Sequence, residues 1–188
     1  MAKNLLDRKF NVDRPNTAWC SDISYLWTNE GRLYPAVAVD LYSRKAVGWA
    51  IDKRMKVSLA KEALAMAYFR RRPGKGPIHR SDRGSRYASH EYRDRLKQYG
   101  TTCSMSRKGD CRDNAVVESF FHTPKVDCTH ENRYMTREEA RVDVIDYIEM
   151  SYNSNRLHST LWGMRARAQM ISKKKPGKMQ LNFVSIFC

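Results

Sequence analysis

Between Asp22 and Ile51 the chain carries three β-rich segments joined by connections too short to hold a helix. Asp22-Ile23-Ser24-Tyr25-Leu26-Trp27 alternates polar and apolar residues, the pattern of a half-buried strand. Asn29-Glu30-Gly31-Arg32 is a turn signal, Leu33 to Asp40 is apolar and β-rich, Tyr42 to Lys45 forms a loop, and Ala46 to Ile51 reads as a third strand. Links this short predict an antiparallel meander, because a parallel pair needs a long crossover.

The period then changes. Ser58 is placed to cap a helix whose apolar side holds Leu59, Ala63, Met66, Ala67 and Phe69, and Pro73-Gly74-Lys75-Gly76-Pro77 stops it. Ile78-His79-Arg80 is a short strand ending at Ser81-Asp82. Ser89 caps a second helix that runs to Tyr99 before Gly100, and Thr101 to Met105 is a further strand. Ser106 to Arg112 is a polar loop, and Asp113 caps the next helix. Thr136 with Glu139 forms a capping box for a helix ending near Tyr152. Strands followed by alternating helix and strand predict an α/β domain with a mixed sheet. Residues 1–10 read as a lead-in, 11–172 as one domain, and 173–188 as a basic tail. Trp19, Trp27, Trp49 and Tyr34 are read as core, the usual place for aromatics at strand spacing.

The 188 residues include 35 Lys+Arg and 20 Asp+Glu, a formal charge of +15. Such a surplus on a small body attracts polyanions, and nucleic acid is the usual one because phosphate neutralisation releases counterions. No run of apolar residues is long enough to span a membrane, and MAKNLLDRKF lacks the apolar stretch of a signal peptide. The five cysteines are odd in number and lack C-x-x-C spacing, which fits a cytosolic chain with reduced thiols. Cys111, His122, Cys128 and His130 match no zinc-finger spacing, so ordinary thiols are the better reading.

Three acids stand out. Asp22 lies in a strand between Trp19 and Tyr25, Asp82 follows the strand IHRS, and Glu118 sits in the helical stretch Asp113 to Phe121. Taken singly, each has a plain explanation as an ion pair or a cap. Together they can meet, because strand ends and helix turns bring carboxylates from distant sequence to one place. Like charges brought close repel, and a bound cation removes the repulsion. Oxygen-only ligands select Mg²⁺ or Mn²⁺, and two such ions about 4 Å apart suit phosphoryl transfer.

Four stretches carry a family likeness: Trp19-Cys20-Ser21-Asp22-Ile23-Ser24-Tyr25; His79-Arg80-Ser81-Asp82-Arg83-Gly84-Ser85-Arg86-Tyr87; Ser104 to Asp110 running into Asp113-Asn114-Ala115-Val116-Val117-Glu118-Ser119-Phe120-Phe121; and Tyr152-Asn153-Ser154-Asn155-Arg156-Leu157-His158-Ser159. Asp82 and Glu118 are separated by 35 intervening residues. In these motifs, their order and their spacing, the chain resembles the catalytic core of bacterial insertion-sequence transposases related to retroviral integrases. The resemblance spans roughly residues 11–162.

The resemblance implies a ribonuclease-H-like fold, a mixed five-stranded sheet flanked by helices. Asp22, Asp82 and Glu118 would be the catalytic and metal-binding triad, holding two Mg²⁺ or Mn²⁺ ions. The activity would be hydrolysis of a DNA strand at an element end, then attack of the freed 3′-hydroxyl on another phosphodiester. Implied partners are element-end and target DNA, further copies of the chain, and a helix-turn-helix protein from an upstream frame. The implied location is the cytoplasm of a bacterium, at the nucleoid. Two other readings stand: a plain ribonuclease-H-like nuclease, or a non-catalytic DNA-binding remnant.

Further residues are candidates for DNA contact. His122 and Lys125 follow Glu118 at helical spacing and either hold the scissile strand or face solvent. Arg83 follows Asp82, and Gly84 allows the backbone a tight turn there. Arg107 and Lys108 belong to the basic loop, Asn114 either orients Glu118, binds phosphate or caps, and Arg156 and His158 contact DNA or pack. Pro124 departs from the family pattern, since proline crowds and unpairs the carbonyl four residues earlier. Arg80 stands where the family often has histidine.

Overall fold

The structure is a computed structural model that describes residues 4–5, 12–74, 76–106, 116–117, 119–121, 134–154, 157–158 and 164–165. Its strands are β1 (Ala18–Ile23), β2 (Leu26–Thr28), β3 (Gly31–Asp40), β4 (Ala46–Asp52), β5 (Ile78–Ser81) and β6 (Thr102–Met105). Its helices are α1 (Val57–Arg71), α2 (Ser85–Ala88), α3 (His90–Gln98) and α4 (Arg137–Asp146), the last continuing as a π-helical stretch, Tyr147–Tyr152. Residues 116–117 and 119–121 are helical. Two-residue strands β7 (Leu157–His158) and β8 (Met164–Arg165) pair antiparallel.

The sheet runs β4-β3-β1-β5-β6, with β2 pairing the start of β3. β4, β3 and β1 are antiparallel neighbours, as their short links require, and β5 and β6 lie parallel to β1 through the helical crossovers. Successive strand residues face opposite sides. Trp19 and Ala38 therefore pack with Ala60, Leu64, Tyr92 and Leu96 of α1 and α3. Cys20, Val37 and Val39 pack on the other side with Val117, Phe120, Val144 and Ile148. The sheet and α1 approach closely at Gly48, where a Cβ would stand 2.3 Å from the Ala63 carbonyl and 2.4 Å from the Ala67 nitrogen. Nothing larger than hydrogen lets α1 lie so near β4.

The end of β3 is closed by a buried charge. The fully buried Asp40 accepts from the Asn16 amide (3.0 Å), the Ser43 amide (3.1 Å) and the Ser43 hydroxyl (2.6 Å), with the Arg71 guanidinium 3.8 Å away. A carboxylate in this position is tolerable only with such a partner set. It ties the lead-in loop, the 41–45 turn and the end of α1 together.

Several expectations change in detail. The first strand begins at Ala18, and the run to Trp27 is interrupted at Ser24-Tyr25: the Ser24 amide still donates in register to the Pro35 carbonyl, but Pro35 has no N–H to return the bond. The α1 N-cap is Lys56, extended and without a side-chain cap bond, so Ser58 lies inside the helix. Phe69 does not join the buried side: it is 65% exposed at the helix end, edge-on to Tyr68 and Tyr99. Trp27 is not core either, being 60% exposed, because on β2 it faces away from the buried Leu26 and Thr28. Ser89 does cap α3, accepting from the Tyr92 amide, and the Thr136–Glu139 capping box is present. The 173–188 tail lies outside the described residues, and the Leu5 amide of the lead-in donates to Ser104 of β6.

Candidate active site

β1 and β5 run side by side and parallel, with Ser21 opposite Ser81. The next residue on each chain is Asp22 and Asp82. Neighbouring strands lie about 4.8 Å apart, so two half-buried carboxylates start from adjacent backbone positions at one end of the sheet. Asp22 Oδ1 accepts from the Ile23 amide (2.8 Å), and Asp82 Oδ1 accepts from the Gly84 amide (3.0 Å). Gly84 has an ordinary φ of −55°, so its role is space rather than conformation. A Cβ there would stand 3.0 Å from both Asp82 carboxylate oxygens.

Both acids bear on one group. Tyr87, on α2, is 3% exposed, and its hydroxyl has no hydrogen-bond partner among the described residues. Burial, then Tyr92, Asp22 and Asp82, hold its pKa well above the ordinary phenol value. The group is therefore a neutral O–H donor lacking an acceptor among the described residues, and its ring packs edge-on to Tyr92. Oxygen donors with paired negative charge and an orphaned O–H fit a hard divalent cation with its waters. Among the described residues no three His, Cys, Asp or Glu side chains converge on one point, and Glu118 lies outside them.

A polar cluster lies beneath the strands on the face that also holds Tyr87 and Tyr92. His79, fully buried on β5, places Nε2 2.9 Å from Ser21 Oγ and 3.1 Å from the Tyr92 hydroxyl. Burial pushes its pKa down to about 3, so the imidazole is neutral and carries no proton for catalysis near neutrality. Arg83, next to Asp82, is exposed and donates from Nε to the Ser106 carbonyl (2.7 Å). It thus fastens the start of the 106–112 stretch to the acidic end.

The sheet order and the paired acids are the frame on which comparison becomes informative. The family described as integrase core domain matches residues 12–111, more than half of the chain, and a second family of the same description matches residues 118–169. The chain belongs to the integrase core domain family. Among curated relatives of this integrase core, transposase InsF for insertion sequence IS3A of Escherichia coli is 46% identical over 164 residues, covering 87% of this chain and 57% of that protein. The transposase for insertion sequence element IS904 of Lactococcus lactis is 41% identical over 158 residues, covering 84% and 62%. The chain therefore spans less than two thirds of the length of these relatives.

Solved structures agree on the fold. The simian T-cell lymphotropic virus intasome, in complex with the PP2A regulatory subunit B56 gamma, matches with a TM-score of 0.69 at 18% identity, over 95% of this chain and 63% of that one. The HTLV-2 integrase catalytic core domain in complex with magnesium matches with a TM-score of 0.54 at 18% identity, over 81% and 93%. The fold of this integrase core is ribonuclease-H-like.

Of the residues singled out from sequence, Asp22, Asp82 and Arg83 stand together at the acidic end. His158 lies in the backbone of β7. Arg107, Lys108, Asn114, Glu118, His122, Lys125 and Arg156 lie outside the described residues, as do Pro124 and the Cys111, His122, Cys128 and His130 set. Val117 and Phe120, flanking Glu118, are buried in the cluster that holds Cys20, and Asp22 follows Cys20 by two positions along β1. Two residues went unassigned in the sequence reading. Tyr87 ends the Asp82 motif, but its burial is visible only in three dimensions. Asn153 lies in the Tyr152–Ser159 motif, and its amide accepts from the Ala46 N–H (2.9 Å) and donates to the Ala46 carbonyl (3.0 Å). It takes the place of a strand neighbour at the start of β4.

Proposed function

We propose that this chain is the catalytic domain of a bacterial DNA transposase. Asp22, Asp82 and Glu118 hold two Mg²⁺ or Mn²⁺ ions, and the reaction is DNA strand cleavage followed by strand transfer. The observation that carries the reading is the Asp22–Asp82 pair, one step past matched positions on parallel strands at one end of the sheet. The family match and the transposase relatives support it.

Bound magnesium would supply Lewis-acid stabilisation of the charge that develops on the phosphate oxygens. The rest falls to the chain's own groups. Strand register fixes the spacing of the two aspartates, the Gly84 amide orients Asp82, and the Tyr87 hydroxyl supplies a donor at the rim. In the cleavage step a water oxygen bonds to phosphorus while the bridging 3′-oxygen departs with its electron pair and takes up a proton. In the joining step that 3′-oxygen bonds to the phosphorus of a second phosphodiester and loses its proton to solvent, while the bridging 3′-oxygen of the attacked strand departs with its electron pair and takes up a proton. No protein nucleophile is used, and the neutral His79 is a structural group.

Arg83, Arg107, Lys108, Asn114, His122, Lys125, Arg156 and His158 are the residues proposed to hold DNA, within a chain of net charge +15. Two DNA ends are handled by an assembly of several copies, and end recognition is supplied by a helix-turn-helix partner from an upstream frame. No described helix is long and apolar enough to cross a membrane. The location proposed from action on DNA is the bacterial cytoplasm, at the nucleoid.

The deciding experiment incubates the chain with Mg²⁺ and a labelled element-end duplex, alongside Asp82→Asn and Glu118→Gln. Wild type is expected to cleave and join while both variants do neither. Equal products from all three would end the enzymatic reading and leave a DNA-binding remnant. Cleavage without joining would identify a plain nuclease.

A further inference from the structure

Three residues beyond Asp22 the chain displays aromatic surface where a stable domain gains nothing from it. Tyr25 is 42% exposed and Trp27 60% exposed. Their rings stand edge to face, with centroids 6.1 Å apart. Arg32, the cross-strand partner of Trp27, places its guanidinium carbon 4.5 Å from the Trp27 centroid and 5.2 Å from that of Tyr25.

The hairpin bearing this cluster is held rigid. The Asn29 amide donates to the Tyr134 carbonyl (3.0 Å), and Thr28 bridges Tyr134. The Arg137 amide donates to the Glu30 carboxylate (2.9 Å), while the Arg137 guanidinium donates to the Arg32 carbonyl (3.2 Å) and to the Glu30 carbonyl. Thr28 Oγ1 donates to the Gly31 carbonyl (2.7 Å). An exposed indole on a mobile tip would be unremarkable, but one fixed from both strands is preorganised for a partner.

The chemistry of the cluster selects the partner. Flat π faces beside a guanidinium grip a nucleobase by stacking, while the cation suits the adjoining phosphate. An extended chain covers at most about 3.5 Å per residue, so Tyr25 lies within about 11 Å of Asp22 along the backbone and Trp27 within about 18 Å. At 3.4 Å per nucleotide this is a reach of roughly three to five nucleotides. The odd-numbered rings leave the strand on the side opposite to Asp22, so DNA reaching them passes around the end of β1.

We propose that Tyr25, Trp27 and Arg32 form a stacking platform for unpaired nucleobases of the DNA strand leaving the acidic site. The proposal rests on the reading of Asp22 and Asp82 as acting on DNA. It adds to that reading a preference for frayed or single-stranded DNA beside the reacting phosphate.

The test measures binding by fluorescence anisotropy, without divalent ion, in the Asp22→Asn background of the full chain. The probes are a labelled duplex with a short thymidine overhang and the same duplex with an abasic overhang. The starting chain is expected to prefer thymidine by about tenfold, the size of one base–aromatic stack. Trp27→Ala should lose that preference, leave abasic-overhang affinity and the slope of affinity against salt unchanged, and be rescued by Trp27→Phe. Circular dichroism checks the fold, and Tyr25→Ala serves as a second variant. Equal affinity for the two overhangs in the starting chain overturns the proposal, as does an equal loss on both overhangs in Trp27→Ala. Loss of self-association in sedimentation, with overhang preference intact, would mark the patch as a protein interface and also overturn it. Cleavage by the wild-type chain with Mg²⁺ decides the catalytic reading separately.

Discussion

Asp22 and Asp82 stand one step past the Ser21–Ser81 pair on adjacent parallel strands, and each carboxylate accepts one backbone N–H, from Ile23 and from Gly84. Like charges at neighbouring strand positions repel, and a bound cation would offset that repulsion. Mg²⁺ should therefore raise the thermal midpoint of the wild-type chain. At a hundred times the dissociation constant the stabilisation is about 2.7 kcal/mol, or about 5–11 °C for a domain of this size. Asp82→Asn should abolish most of that rise while leaving the metal-free midpoint equal to or above wild type. Differential scanning calorimetry with and without Mg²⁺ checks both, and an undiminished rise in the variant would show that Asp82 is no ligand.

Gly84→Ala tests how finely the Asp82 carboxylate is placed. The backbone there suits alanine, but the new Cβ would press both carboxylate oxygens at 3.0 Å. The exposed helix start can absorb the methyl, so the unfolding midpoint should move little. Displacing a reacting constellation by a fraction of an ångström to an ångström costs up to about a hundredfold in rate. The expectation is a fall in strand cleavage of about ten- to hundredfold with a near-wild-type urea midpoint. A proportionate loss of both would mean the residue matters only for folding.

Tyr87→Phe separates two roles of a buried hydroxyl. An O–H without an acceptor among the described residues burdens the fold, and removing it should leave stability unchanged or raise it by about 1 kcal/mol. If the hydroxyl serves the acidic pair, the same variant should weaken Mn²⁺ binding, read by electron paramagnetic resonance, and slow cleavage. Gain of stability with loss of metal affinity is the expected combination. Unchanged affinity would leave Tyr87 as packing alone.

Much of this was legible in the chain because short-range signals and the fold agreed. The short links at Asn29–Arg32 and Tyr42–Lys45 forced the meander, and the Thr136–Glu139 box and Ser89 cap marked their helices. Boundaries slipped where long-range contacts prevailed. The first strand breaks at Ser24 because its partner Pro35 has no N–H to return the ladder bond, and Trp27 is exposed because it faces away from the buried Leu26 and Thr28. The acids Asp22 and Asp82 were found by residue type and motif, but their closeness is a property of strand register, which no local pattern encodes. Tyr87 and Asn153 were invisible as functional groups because tertiary structure defines them: burial for Tyr87, and a partner 107 positions away for Asn153.

Asn153 should be a stability residue. Its side chain satisfies both the N–H and the C=O of Ala46 from 107 positions away, and all of these groups are buried. Asn153→Ala leaves two backbone groups without partners in a dry place, at about 1–3 kcal/mol for each, relieved in part by relaxation. A loss of about 2–4 kcal/mol is expected in urea unfolding, with the slope unchanged. Asn153→Asp should be at least as harmful, because a carboxylate would face the Ala46 carbonyl. A loss below about 0.5 kcal/mol in the alanine variant would mean that the edge of β4 is held by other contacts.

His79 sets part of the acid limit of the fold. Its folded pKa of about 3 lies below the unfolded value of 6.5, because burial penalises the charged ring. Between these values the unfolded chain binds a proton that the folded chain does not, so stability rises with pH across the window. The contribution is complete above about pH 6.5 and is lost as pH falls toward 3, at a slope of up to about 1.4 kcal/mol per unit. Ser21 and Tyr92 reinforce the effect by engaging the neutral ring at Nε2. His79→Gln keeps a polar group for those hydroxyls and removes the titration. Its stability near pH 7 should be lower than wild type, but its curve between pH 6.5 and 4 should be flatter by close to one proton. Parallel curves for the two proteins over that range would show that the ring takes up its proton without unfolding.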